Sequence, residues 1–155
     1  SRDDWRHWVD SDGDCQDTRA ELLITYSRVD VEFRAIDNCV VESGEWLGPY
    51  SAETFQIASD IDIDHVIPLR YASQNGGFSW SIQKKESFAN DSLNLLAVSS
   101  RENRKKGAKG PAQYLPNKTY ECSYVKRWIA IAAKYELVLA FEDTEKIAKV
   151  QKGCE

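Results

Sequence analysis

The stretch from Asp60 to Ala72, DIDIDHVIPLRYA, constrains the fold more than any other part of this chain. Acidic and apolar residues alternate at period two, which reads as a half-buried strand with Ile61 and Ile63 on one face and Asp60, Asp62 and Asp64 on the other. Carboxylates aligned in this way repel one another unless a positive charge sits among them. The run then reaches His65, one of 2 histidines in the chain, and breaks at Pro68. A strand that ends in Asp-His points to a metal site or a general base.

The surrounding segments predict a mixed α+β architecture. Residues 17–29 carry a capping aspartate followed by Leu22, Leu23, Tyr26 and Val29 at helical spacing, so an amphipathic helix is expected there. Strands are expected within 39–47 and 54–66, separated by Gly44, Gly48 and Pro49. Residues 73–81 read as a loop, 80–90 as a helical turn or two, and 92–100 as a buried strand. A helix over 99–110 follows from a serine at its start, good helix formers within it and a glycine at its end. Two further helices are expected over 120–137 and 143–153, the first with Val125, Trp128, Ile129 and Ala132 on one apolar face. At 155 residues the chain is long enough to bury a core as a single domain spanning 1–155.

Four cysteines, Cys15, Cys39, Cys122 and Cys154, stand far apart without the close pairs of a zinc site, so two disulfides and an oxidising compartment are expected. Three connectivities are open; pairing Cys15 with Cys39 and Cys122 with Cys154 is preferred because the two sets flank separate segments. Asn90 and Asn117 begin glycosylation sequons, triplets that also arise by chance. No apolar run approaches the ~20 residues that cross a bilayer, so no membrane partner is expected. The opening SRDDWRHW suits a processed or trimmed chain. Residues 1 to 64 hold 16 acidic and 5 basic side chains, whereas residues 65 to 155 hold 9 and 15. A basic half suits a polyanion, and an acidic half beside it suits cations.

A strand with DIDHVIPL, a second with NLLAVSS and a helix with RENRKKGAKG bring Asp64, His65, Asn94 and Asn103 together if the helix folds back. This pattern resembles the HNH nucleases, whose active site is a ββα-metal finger, most strongly over residues 60–116. It is similar in particular to their secreted, non-specific type, through GDCQDTR, CVVESGEWLGPY, IDIDHVIPL, FANDSLNLL and NRKKGAKGPAQYLP. The resemblance implies a finger core at about 60–110, decorated by an N-terminal helical and β segment and by C-terminal helices.

It also implies a secreted, extracellular or periplasmic, metal-dependent endonuclease that cuts DNA, and in second place RNA, with little sequence preference and leaves 5′-phosphate ends. His65 would be the general base. Asp64 and the side-chain oxygen of Asn103 would hold one Mg²⁺ or Mn²⁺, hard cations that favour oxygen ligands. Asn94 would brace the loop and orient His65. Arg101, Arg104, Lys105, Lys106 and Lys109 would reach substrate phosphates. Asp62, on the strand face of Asp64, would support the metal ligands from behind. No recognition module that would read bases is visible, and a monomer is expected.

A second cation, Ca²⁺, is suggested by Asp10, Asp12, Asp14 and Glu21 at the first, third, fifth and twelfth positions of a calcium-loop pattern. Cys15 stands where such loops carry glycine, and an acidic turn capping the next helix is the preferred reading. Arg19 is read either as a phosphate contact or as an ion-pair partner of this acidic stretch. His7, between Trp5 and Trp8, is assigned no role. The alternatives to a free nuclease are a non-catalytic secreted module that binds nucleic acid or cations, and a nuclease toxin domain.

Overall fold

The computed structural model describes residues 2–154. Among these the order is α1 (Thr18–Tyr26), β1 (Glu32–Phe33), β2 (Val41–Gly48), β3 (Glu53–Ile57), β4 (Ile61–His65), α2 (Leu69–Gln74), α3 (Ile82–Ala89), β5 (Leu95–Ser99), α4 (Ser100–Lys106), α5 (Glu121–Tyr135) and α6 (Phe141–Lys152). The first three strands form an antiparallel sheet in the order β1-β2-β3; β4 and β5 form a separate antiparallel pair. This is an α+β protein, and α4 follows β5 directly to complete a two-strand, one-helix unit.

Two apolar cores lie on opposite sides of the β4–β5 pair. Leu96 and Val98 join Phe88, Tyr124 and Trp128 in the larger core, while Leu95 and Ala97 join Leu23, Trp46, Ile61 and Ile63 in the smaller one. A strand covered on both faces reads as a continuous apolar run, and all five residues of β5 are buried. β4 keeps its alternation for a different reason: its isoleucines enter the smaller core and its carboxylates lie beneath α4.

The single strand expected over 54–66 is interrupted by a 3₁₀ turn at Ala58–Asp60. Arg19 explains the break, since its guanidinium donates to the carbonyls of Ala58 (2.9 Å), the first residue of the turn, and Ile61 (3.0 Å), the residue just after it. Asp60 is therefore exposed in the turn and does not share the carboxylate face of Asp62 and Asp64. Residues 69–74, passed over in the sequence reading, form α2 immediately after Pro68. α1 ends at Tyr26 rather than at residue 29, because Ser27 turns the chain with its hydroxyl bonded to the Val29 carbonyl and accepting from the Glu45 amide. Tyr26 and Val29 are exposed as a result. On α5 the buried face is Tyr124, Val125, Trp128, Ile131, Ala132 and Tyr135, so Ile129 lies outside it.

The disulfides join Cys15 to Cys39 and Cys122 to Cys154, the preferred pairing. The first ties the turn before α1 to the loop before β2, and the second ties the start of α5 to the chain after α6.

Candidate active site

Helix α4 positions most of the polar side chains at the centre of the molecule. Ser99 caps it by accepting from the Glu102 amide, Glu102 accepts from the Tyr114 hydroxyl (2.8 Å), and Gly107 ends the helix at φ +54°. So fixed, α4 lays Asn103 and Lys106, three residues apart and on one face, over β4. Asn103 Nδ2 donates to Asp62 Oδ2 at 2.9 Å, and Ser100 Oγ donates to Asp62 Oδ1 at 2.9 Å. One turn further on, Lys106 Nζ lies 3.2 Å from Asp64 Oδ1 and 3.1 Å from Oδ2, and donates to the His65 carbonyl at 2.9 Å. The Tyr50 hydroxyl donates to Asp64 Oδ2 at 2.7 Å.

Asp64 and Lys106 form a buried ion pair with side-chain exposures of 6% and 0%. Burial pushes the Asp64 carboxyl up, against the attraction of Lys106 and the Tyr50 bond, and Asp62 pushes it further in the same direction. Burial likewise pulls the Lys106 ammonium down, with Asp64 opposing. The expectation that Lys106 contacts substrate phosphate is thus corrected. Its position on the inner face of α4 turns it away from solvent and into Asp64.

His65 ends β4. Its Nε2 lies 2.8 Å from the Ala89 carbonyl, and a carbonyl only accepts, so Nε2 carries the hydrogen and Nδ1 is the basic nitrogen of the neutral ring. Asn94 is fully buried below it and holds the turn that follows β4. Its Oδ1 accepts from the Ile67 amide (2.8 Å), its Nδ2 donates to the Ile67 carbonyl (3.1 Å), and its own carbonyl accepts from the Val66 amide (2.9 Å).

These groups border a cleft of about 710 Å³ whose walls include Asp62, Asp64, His65 and Asn103 together with Arg19, Arg70, Trp5, His7 and Trp8. Arg101, Arg104, Lys105 and Lys109 are exposed on or just beyond α4 and do not border it. Arg19 and Arg70 are the cationic side chains among the described residues that do.

The sequence reading missed the aromatic wall. Trp5 packs into the larger core against Trp80 and Phe88, with centroid distances of 5.6 Å and 5.8 Å. Trp8 lies flat on the His65 ring, 5.4 Å between centroids and 2° between planes, and His7 meets the same ring edge-on at 5.6 Å. Nothing local to WRHW signals this, because the contact spans more than fifty residues of sequence.

Two sets of oxygen atoms could hold a cation. Asp62, Asp64 and Asn103 border one cleft, and two carboxylates beside an amide oxygen suit a hard divalent ion. Elsewhere, Asp10, Asp12, Asp14 and Glu21 bring oxygens within 4.8 Å of one another. Cys15 takes the left-handed conformation (φ +70°) that glycine supplies in calcium loops. The same aspartates also accept from the amides of Gly13, Cys15, Asp14 and Gln16, which lets the turn stand as a hydrogen-bonded unit.

The fold and this site define an α+β protein built around a ββα finger, with a histidine, two carboxylates and an amide facing one cleft. The family model of the GmrSD restriction endonucleases, C-terminal domain, matches residues 27–150, and the chain belongs to that family. It is also similar to an uncharacterized secreted protein of Arthroderma benhamiae, with 34% identity over 157 residues covering 99% of this chain and 75% of the relative. No solved structure matches the chain. No helix among the described residues is long and apolar enough to cross a membrane.

Proposed function

We propose that this chain is a secreted, metal-dependent endonuclease that hydrolyses phosphodiester bonds of DNA, and secondarily of RNA, with little sequence preference. The observation that carries the reading is His65. Its Nε2 is committed to the Ala89 carbonyl, leaving Nδ1 as the base in a cleft it shares with Asp62, Asp64 and Asn103. Membership of a restriction-endonuclease domain family supports a nucleic-acid substrate. The two disulfides and the secreted relative support an extracellular location.

In this mechanism Nδ1 of His65 takes the proton of a water molecule as its oxygen attacks phosphorus in line with the departing 3′ oxygen, leaving a 5′-phosphate. Arg19 and Arg70 border the cleft where a phosphate would enter and supply positive charge there. Asn94 keeps the turn behind His65 fixed while the ring accepts its proton. Asp64 and Asn103, with Asp62 alongside, would hold Mg²⁺ or Mn²⁺, which when bound neutralises charge on the phosphate and the leaving oxygen. Lys106 favours the ionised form of Asp64 against the pull of its burial. None of these contacts reads a base, so broad specificity is expected.

The test is cleavage of supercoiled plasmid and of an unstructured RNA by the oxidised protein and by His65→Ala, each with Mg²⁺, Mn²⁺ or EDTA. The wild type with metal should nick and then linearise the plasmid, and His65→Ala should be slower by about 10²–10⁴-fold. A correctly folded wild type that shifts the plasmid on a gel yet leaves it intact under every metal would make the chain a binding module and end the catalytic reading.

A further inference from the structure

We infer that Trp8 is a positioning residue for His65, holding the plane of the imidazole so that Nδ1 keeps its aim into the cleft; the inference rests on the nuclease reading above. The hydrogen bond from Nε2 to the Ala89 carbonyl fixes one end of the ring, and His7 meets the ring edge-on at 5.6 Å. Trp8 adds a restraint of another kind, because an offset indole 2° from parallel with its centroid 5.4 Å away limits the tilt of the imidazole plane on that side. Alignment of a reacting group is worth far more in rate than the weak contact that secures it.

The backbone makes the placement more than incidental packing. Trp8 adopts φ +58°, a left-handed conformation that is a genuine outlier for a bulky residue and persists only where the surroundings enforce it. The enforcing contacts lie on both sides of the residue. Before it, Asn90 Nδ2 donates to the Arg6 carbonyl at 2.7 Å. After it, the Val9 amide donates to Asn90 Oδ1 at 3.3 Å, while the Val9 carbonyl accepts from the amide and hydroxyl of Thr18. Asn90 immediately follows Ala89, so a single dipeptide at the end of α3 grips both the catalytic ring and the segment that covers it. This use of the Asn90 side chain also commits the amide that its glycosylation sequon would need.

A packing role and a positioning role separate in the variant Trp8→Gly. Glycine takes φ +58° without steric cost, which offsets part of the packing lost where the half-buried indole meets the smaller core, and the folded fraction is measured beside the rate. The kcat for plasmid nicking should fall by about tenfold to a hundredfold, with KM nearly unchanged. Trp8→Phe, which keeps a flat ring, should recover most of the rate, and Trp8→Leu, which keeps apolar bulk without one, should not. Long-range ¹H–¹⁵N spectra should show the His65 ring as the single Nε2–H tautomer in the wild type and as a tautomer mixture in Trp8→Gly and Trp8→Leu.

Full kcat in Trp8→Gly or Trp8→Leu, or a His65 spectrum indifferent to both, overturns the inference while leaving the nuclease reading standing. A rate loss matched by an equal fall in folded fraction overturns it too. A wild type that hydrolyses nothing removes the nuclease reading, and the positioning role with it.

Discussion

Replacing Lys106 by methionine keeps the length and the apolar stem of the side chain but deletes the ammonium that faces Asp64. At the observed 3.1 Å, opposite unit charges in an effective dielectric of about 20 attract by roughly 5 kcal/mol. Desolvating each ion costs several kcal/mol, so the intact pair stands near balance. The balance is destroyed when one partner goes. The carboxylate keeps its burial cost, the His65 carbonyl loses its Nζ donor, and the Tyr50 hydroxyl alone remains to solvate Asp64.

Lys106→Met should therefore lose about 3–5 kcal/mol, equivalent to a fall in melting temperature of roughly 6–20 °C for a chain of this size. Guanidinium unfolding with the disulfides intact measures the loss directly. Its pH dependence supplies an internal check. Burial already holds the folded Asp64 carboxyl above its ordinary value, and loss of Lys106 raises it further. The folded state then binds the extra proton, so the deficit at pH 7 should shrink as pH falls toward the unfolded value of about 3.9. Adding Asp64→Asn should restore much of the stability, because both buried charges are then gone. A single variant within about 1 kcal/mol of the wild type at pH 7, or a double variant no more stable than the single one, would refute the reasoning.

Three other outcomes are expected. Burial tends to raise the Asp91 carboxyl, but bonds from Lys134 (2.6 Å), Tyr135 (2.7 Å) and the Leu93 amide (2.9 Å) outweigh it and hold the group below its ordinary value. Its contribution is thus present above about pH 3.9 and lost as pH falls through the folded value, and Asp91→Asn should cost about 1–3 kcal/mol at pH 7 and flatten the acid arm of the stability profile. Gly110→Ala would drive a methyl into the Asp143 carboxylate, which is held by the Tyr71 hydroxyl (2.5 Å) and the Ala112 amide (2.8 Å); a loss of about 1–3 kcal/mol in denaturant titration is expected. Removing the Cys122–Cys154 disulfide by paired serine substitution opens a link of sequence separation 32, and chain entropy sets the loss at about 4 kcal/mol, readable as a lower melting temperature.

The finger was legible because its signals are local. Alternation over 60–65 placed β4, an apolar run placed β5, and a serine cap with a terminal glycine bounded α4. Asp64, His65, Asn94 and Asn103 come from these three elements and the turn before β5, so reading the elements brought them to one neighbourhood. Lys106 was misread although the means were present: three residues from Asn103, it shares the helix face that meets β4. Charge run and helix face gave opposite answers, and the buried carboxylate decided between them. The 3₁₀ turn at 58–60 could not be read, since the residue that stabilises it, Arg19, acts across 39 and 42 positions of sequence. The aromatic wall was hidden for the same reason, its clamp reaching across 81 and 84 positions from Asn90 to Val9 and Arg6.

Trp5, His7, Trp8 and Arg19 border the cleft, yet all precede residue 27, where the match to the endonuclease domain family begins. The ββα finger and the wall that packs on its histidine thus come from different stretches of chain, joined at the end of α3 by contacts to Asn90. Substitutions in the wall therefore act on the His65 ring it packs against, from outside the stretch that the family model matches. The matched segment alone would thus be a finger with one wall of its cleft missing.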